Sequence, residues 1–316
     1  MKKVLFSLVF TGLLAACSLT GLNTTNVQNT NDPEPAAPVA EAATDPVVEE
    51  TAEPEPATTE ESATDTAVVD TGDTVPEIIE PAVDADLANG TTLFEEGRLR
   101  EARTLLSKAL NNDLGDEDEA RALKTLREIN AKIFLSAGES GDLKVYTVKN
   151  GDTLGKIANA HGTTWEMIQR LNGLKSTRID VGQQLKILGG KFELVVRKEK
   201  FAMDLLLDGA FIQRYEVGLG VDGCTPLGEF VVKNRIPKPA DGAYPYGHPK
   251  HRLGSRWLGL KSDEGLKGYG LHGCRADEEE LIPGECSHGC VRLKNGDIEE
   301  IYDIVPVGTR VVVQER

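Results

Sequence analysis

Basic residues are the first thing missing from this 316-residue chain: residues 18–83 contain no lysine or arginine, and no run of them occurs elsewhere. Aromatic residues make up only 5% of the chain. Without a basic stripe or rings to stack bases, nucleic acid is excluded as a partner. After the first 17 residues no apolar run approaches the roughly 20 residues that a spanning helix needs. Cysteine is scarce, at five residues, and never occurs as the paired C-x2-C knuckle of structural zinc, so no metal and no cofactor is expected.

What is present falls into blocks, and the chain is expected to be multidomain. Residues 1–17, MKKVLFSLVFTGLLAAC, have the lysines and short apolar run of a secretory signal. The stretch Leu14-Ala15-Ala16-Cys17 resembles the bacterial lipobox, which implies lipidation of Cys17 and a membrane anchor. Ser18, by the same resemblance, directs the anchor to the periplasmic face of an outer membrane, so the expected location is the cell envelope. Residues 18–83 follow, with eight prolines and 15 acidic residues against a net charge of −16 for the whole chain. The acidity therefore belongs to this linker and says nothing about a substrate. Such a composition cannot bury enough apolar surface to offset chain entropy, so a disordered acidic linker is expected, spanning roughly 45 Å as a flexible coil.

Over 84–138 apolar residues recur at helical spacing: Leu99, Ala102, Leu105, Leu106, Ala109 and Leu110, then Ala120, Leu123, Leu126, Ile129 and Ile133. The first part resembles a tetratricopeptide-type helical hairpin, with Gly90, Leu93, Ala102, Leu106 and Ala109 at its small and apolar positions. One repeat is marginal alone, so this helical region is expected to dock on a neighbour or on a protein partner. Residues 144–188 read as strand (Val145–Val148), turn (Asn150-Gly151), a helix capped by Asp152 or Thr153, a second helix (Thr164–Leu171) ending at Asn172-Gly173, and a strand (Gln184–Leu188). This β-α-α-β unit resembles the LysM module. The resemblance implies a shallow peptidoglycan groove on Gly151, Asp152, Thr153, Leu154, Asn172, Gly173 and Leu174, in which backbone groups of turns reach the sugars.

Residues 192–316 predict an all-β sandwich or barrel: strands at Phe192–Arg197, Phe201–Leu207, Ala210–Leu219, Gly228–Lys233 and Thr309–Gln314, with helix only near Ile298–Val305. Here GECSHGCVRL places Cys286 and Cys290 around Ser287-His288-Gly289. A zinc site drawing on His272, Cys274, Cys286, His288 and Cys290 has the wrong spacing. A purely disulfide role leaves the histidines and glycines unexplained. A thiol nucleophile uses them all, because it needs a base for its proton and donors for the oxyanion.

The run Tyr269-Gly270-Leu271-His272-Gly273 with Ser287-His288-Gly289-Cys290-Val291-Arg292 resembles the signature of the YkuD-type L,D-transpeptidases, as do Thr225–Phe230 and Leu253–Leu258. The resemblance implies Cys290 as nucleophile, His272 as base, and the Gly273 carbonyl as the group orienting the imidazole. It also implies an oxyanion hole of the His288, Gly289 and Cys290 amides, with Ser287 and His288 steadying the substrate. Tyr269 and Arg292 would bind substrate, Arg292 through a carboxylate unless an ion pair holds it. Cys274 and Cys286 depart from the family pattern, and a Cys274–Cys286 disulfide is expected, with Cys224 free or regulatory; pairing of Cys224 with either one stays open. The expected function is peptidoglycan cross-linking by an acyltransferase with a cysteine nucleophile. The alternatives are an L,D-carboxypeptidase or cross-link hydrolase using the same thiol, and a non-catalytic peptidoglycan-binding lipoprotein.

Overall fold

The computed structural model describes residues 84–112, 114–135 and 143–316. The expected signal with Cys17, the linker 18–83 and residues 136–138 of the helical region lie outside the described residues.

Three helices open the described chain: α1 (Ala85–Glu95), α2 (Leu99–Ala109) and α3 (Asp116–Leu135). Asp84 caps α1 by accepting from the Leu87 amide at 2.9 Å. Gly90 is the contact point of the hairpin, since a Cβ there would lie 2.7 Å from Leu106 Cγ. Leu87, Ala102, Leu106, Ala109, Leu126 and Ile129 form the buried face. The small LysM-like unit follows, with β1 (Leu143–Thr147) antiparallel to β2 (Gln184–Leu188), and α4 (Leu154–Ala160) and α5 (Trp165–Leu171) between them. Thr153 and Thr164 cap these helices through Lys156 N and Met167 N, so the cap falls on Thr153 and not on Asp152.

The remaining strands are β3 (Phe192–Arg197), β4 (Ala202–Leu207), β5 (Ala210–Glu216), β6 (Gly218–Gly220), β7 (Gly228–Pro237), β8 (Arg256–Lys261), β9 (Gly270–His272), β10 (Gly284–Ser287), β11 (Val291–Arg292) and β12 (Arg310–Gln314), with α6 at Asn295–Ile304. They form one hydrogen-bonded sheet in the order β10-β6-β11-β9-β8-β7-β12-β3-β4-β5. The strand expected over Ala210–Leu219 breaks at Val217, and its two halves lie eight steps apart in that order. Eight steps span about 38 Å in a flat sheet, whereas Glu216 and Gly218 are at most about 7 Å apart along the chain. The sheet must therefore curl back on itself, which gives the expected sandwich from a single sheet. Register shifts at Leu205/Leu206, Val232/Asn234 and Glu285/Ser287 supply bends.

The helical unit covers the exposed edge of this sheet. Asn130, fully buried, donates to the carbonyls of Phe211 and Ile212 on β5 at 2.9 and 3.0 Å, and Ser107 Oγ accepts from Phe211 N at 2.8 Å. Arg214 joins Glu119 of α3 to the buried Asp204 at 2.6 Å each, and Arg197 adds a third contact to Asp204 at 2.9 Å. The neighbour that the helices need is thus the sheet of the same chain, and an otherwise open edge is closed. On another side α5 packs against α6, where Arg170 meets Asp303 at 3.4 Å and Thr164 bonds the Asp303 carbonyl, and reaches β7 through Glu166 and Arg235 at 3.1 Å.

Candidate active site

The register assembles the site. β11 runs parallel to β9 with Val291 opposite Leu271 and Arg292 opposite His272, so Cys290 stands opposite Gly270. Register partners share a face, so His272 and Arg292 lie on the same side of the sheet, and Cys290 leads into β11 two residues before Arg292. Eighteen residues of sequence separation become adjacent strand positions.

His272 is 3% exposed, and its Nδ1 lies 2.6 Å from the Gly273 carbonyl. The carbonyl is acceptor-only, so Nδ1 carries the proton and Nε2 is left as the basic nitrogen. The Trp257 ring, opposite on β8, stacks on the imidazole with centroids 5.6 Å apart and planes at 22°. Burial pushes the imidazole down to about 4, and the Gly273 bond opposes that shift. At neutral pH His272 is uncharged and able to accept a proton.

Cys290 Sγ rests 3.7 Å from the Gly268 carbonyl. Burial raises its thiol above the ordinary range, while a Gly270 backbone bond and the Arg292 charge pull it back. The resting pair is thiol and imidazole, not thiolate and imidazolium. Gly289 before it has φ +119°, and a Cβ there would lie 2.9 Å from Tyr269 Cε1 and 3.2 Å from the Cys224 carbonyl. Only glycine fits this turn, on grounds of both backbone and space. Tyr269 thereby floors the turn before Cys290, tilted against Phe230 at 6.4 Å between ring centroids.

Several expected roles change. Ser287, 2% exposed, donates its hydroxyl to the Cys290 carbonyl at 2.6 Å and accepts from Gly289 N at 3.1 Å. It braces the turn, and it occupies the Gly289 amide expected in the oxyanion hole. His288 is exposed beside the turn. Arg292 is buried and gives Nη1 to Glu278 at 3.3 Å, the ion pair weighed against a substrate carboxylate, while its Nε is buried without a hydrogen-bond partner among the described residues. The expected Cys274–Cys286 disulfide is not formed: Cys224, Cys274, Cys286 and Cys290 are free thiols. Two strands, β6 and β11, lie between β9, which leads into Cys274, and β10, which carries Cys286. Burial pushes the Cys274 thiol up to about 12, which leaves it unreactive.

In the small unit the residues expected to line a groove are largely spent on structure. Asp152 accepts from Tyr146 Oη at 2.8 Å and Lys149 N at 2.7 Å, and Leu154 is core. Asn172 clips α5 to β2, donating to Ile168 O and Lys186 O and accepting from Lys186 N at 2.7 Å. Leu174 packs at the edge of the core, and Gly151 and Gly173 have φ of +83° and +60°. What the two loops offer a ligand is chiefly backbone.

Sequence reading missed two site residues. Trp257 lies on β8, a strand with no local signature, and only the pairing of β8 with β9 brings it onto His272. Asn295, two residues after Leu293 at the start of α6, carried no signal of its own.

Known families match both units: the L,D-transpeptidase catalytic domain over residues 191–313 and the LysM domain over 146–188. A Bacillus licheniformis protein named "Putative L,D-transpeptidase YkuD" is 32% identical over 177 residues, 54% of this chain and 98% of that one. This chain belongs to the YkuD L,D-transpeptidase family. The N-acetylmuramoyl-L-alanine amidase sle1 of Staphylococcus epidermidis is 49% identical over 55 residues, 17% of each chain. A solved L,D-transpeptidase of Mycobacterium tuberculosis is 19% identical with a TM-score of 0.34, over 43% of this chain and 64% of that one, too distant to add to the assignment. Membership of the YkuD family makes the chain a transpeptidase or peptidase-like enzyme, and the LysM domain ties it to the cell wall.

Proposed function

We propose that this chain is a peptidoglycan L,D-transpeptidase with Cys290 as nucleophile and His272 as general base. The observation that carries the reading is the Nδ1 bond of His272 to the Gly273 carbonyl on the strand beside Cys290, which leaves Nε2 basic. Because both groups rest neutral, the thiol turns from Gly268 toward His272 and passes its proton to Nε2 as Sγ attacks the carbonyl of the third residue in a tetrapeptide stem. The amides of His288 and Cys290 receive the oxyanion, Ser287 being committed to Gly289. The intermediate collapses, the C–N bond to the terminal D-Ala breaks, and His272 returns its proton to the leaving amine. An acceptor amine then attacks the thioester, His272 takes the proton of that amine, and Cys290 leaves as the regenerated thiol. The LysM domain raises the local concentration of an insoluble glycan substrate. The lipidated Cys17 and the 66-residue linker would let the catalytic unit reach the wall from a periplasm-facing outer-membrane anchor.

The test is incubation of purified protein with disaccharide-tetrapeptide, read by mass spectrometry. Dimers formed with loss of D-Ala support transpeptidation, and tripeptide monomers alone would move the assignment to a carboxypeptidase. Unchanged substrate, with Cys290→Ala behaving identically, would leave only wall binding.

A further inference from the structure

Asn295 is the most heavily engaged side chain near the site for which the proposed reaction has no use. It is the first residue of α6, and its amide is saturated by partners from three loops. Oδ1 accepts from Ser255 N at 3.0 Å. Nδ2 donates to the Cys274 carbonyl at 2.7 Å and to Glu279 Oε1 at 3.1 Å, and the Asn295 backbone amide reaches the same carboxylate oxygen at 2.9 Å. Two glycines make room for it: a Cβ at Gly254 would lie 2.5 Å from Oδ1, and one at Gly273 would lie 2.4 Å from it. Gly254 also has φ +64°, so that turn is closed to other residues on two counts.

The Gly273 carbonyl is therefore flanked on both sides by anchored carbonyls, those of His272 and Cys274. The Gly273 carbonyl receives His272 Nδ1, the next carbonyl receives Asn295 Nδ2, and Leu293 N, just before α6, bonds the His272 carbonyl at 2.9 Å. In a serine-type triad a carboxylate orients the imidazole directly. Here a backbone carbonyl does so, and a backbone carbonyl is only as well aimed as its peptide plane.

We propose that Asn295, itself steadied by Glu279, is a positioning residue that aims the Gly273 carbonyl and so fixes the Nδ1–H tautomer and the orientation of His272. The proposal rests on the reading of Cys290 and His272 as the reacting pair. Asn295 touches no reacting atom, and its effect should fall on the chemical step and not on stem binding.

The test combines turnover with a signal that needs none. In 15N-imidazole-labelled wild-type protein His272 should show one tautomer, protonated at Nδ1. Asn295→Ala should mix the two tautomers and lower kcat by about 10- to 100-fold, the scale of a misplaced catalytic group, with KM within about twofold. Asn295→Asp keeps the Ser255 contact but faces Cys274 O and Glu279 with a carboxylate, so its activity relative to wild type should recover as pH falls from 8 to 5 and the acid again donates. Asn295→Ala should show no such recovery. A variant that merely loosened the fold would lose activity at all pH values alike. Retention of the Nδ1–H tautomer in both variants, or an Asn295→Asp profile parallel to wild type, would overturn the proposal. Wild-type protein that shows the tautomer but no acyl transfer would overturn the functional reading and leave the positioning role standing.

Discussion

Acidification from pH 7 to pH 4 should destabilise the protein through His272 by an amount set by its burial. The imidazole is 3% exposed and held to about 4, against an unfolded value of 6.5. Above pH 6.5 it is neutral in both states and its contribution to stability is fully present. Between 6.5 and 4 the unfolded chain takes up a proton that the folded one refuses, so that stability is lost as pH falls through this window. Integrated to pH 4, the loss is about 3 kcal/mol. The measurement is chemical unfolding of wild type and of His272→Gln at pH 7, 5.5 and 4. Other groups titrate in both proteins and cancel in the double difference, which should change by about 3 kcal/mol. The same burial sets the acid limb of acyl transfer. At pH 5.5 a base of pKa 4 is about 97% competent and one of 6.5 only about 10%, so kcat/KM should be nearly flat from pH 7 to 5.5. Parallel stability curves for the two proteins, or half-loss of kcat/KM between pH 6 and 7, would refute the argument that burial holds His272 neutral.

Gly289→Ala should reduce acyl transfer by about 100-fold or more without loss of far-UV circular dichroism, because the new methyl meets Tyr269 at 2.9 Å and must adopt φ +119°. Asn130→Ala leaves two buried β5 carbonyls without their donor and should cost about 2–4 kcal/mol, read by chemical unfolding and by faster hydrogen exchange at the Phe211 amide. Glu300 is held up to about 7, first by burial, so its charging opposes folding as pH rises from 4.5 through 7. Glu300→Gln should therefore stabilise by about 1–2 kcal/mol at pH 8 and by little at pH 5, measured as the shift in unfolding midpoint.

Local chemistry was legible in the sequence wherever a few neighbouring residues decide it. Thr153 as a helix cap, Gly151 and Gly173 in turns, the apolar runs of β3 and β4 and the His-Gly and Ser-His-Gly-Cys segments all act over a handful of positions. The strands Gly270–His272, Gly284–Ser287 and Val291–Arg292 were not legible because they are two to four residues long and exist only through their neighbours, and Arg256–Lys261 lacks an alternating pattern. The disulfide expectation failed for the same reason, since proximity in sequence to one catalytic segment does not place two cysteines on adjacent strands.

The sequence by itself determined which residues are candidates for the proposed chemistry: Cys290 with its glycine turn, His272 with its following glycine, beside a LysM domain written in caps and turns. Tertiary structure alone decided what holds them. Asn130 reaches Phe211 across 81 residues, Arg292 turns to Glu278, Trp257 stacks on His272, and Asn295 grips Cys274 from 21 residues away. A hydrogen bond or a stacked ring depends on where the curled sheet brings two distant backbones together, and no local pattern encodes that meeting.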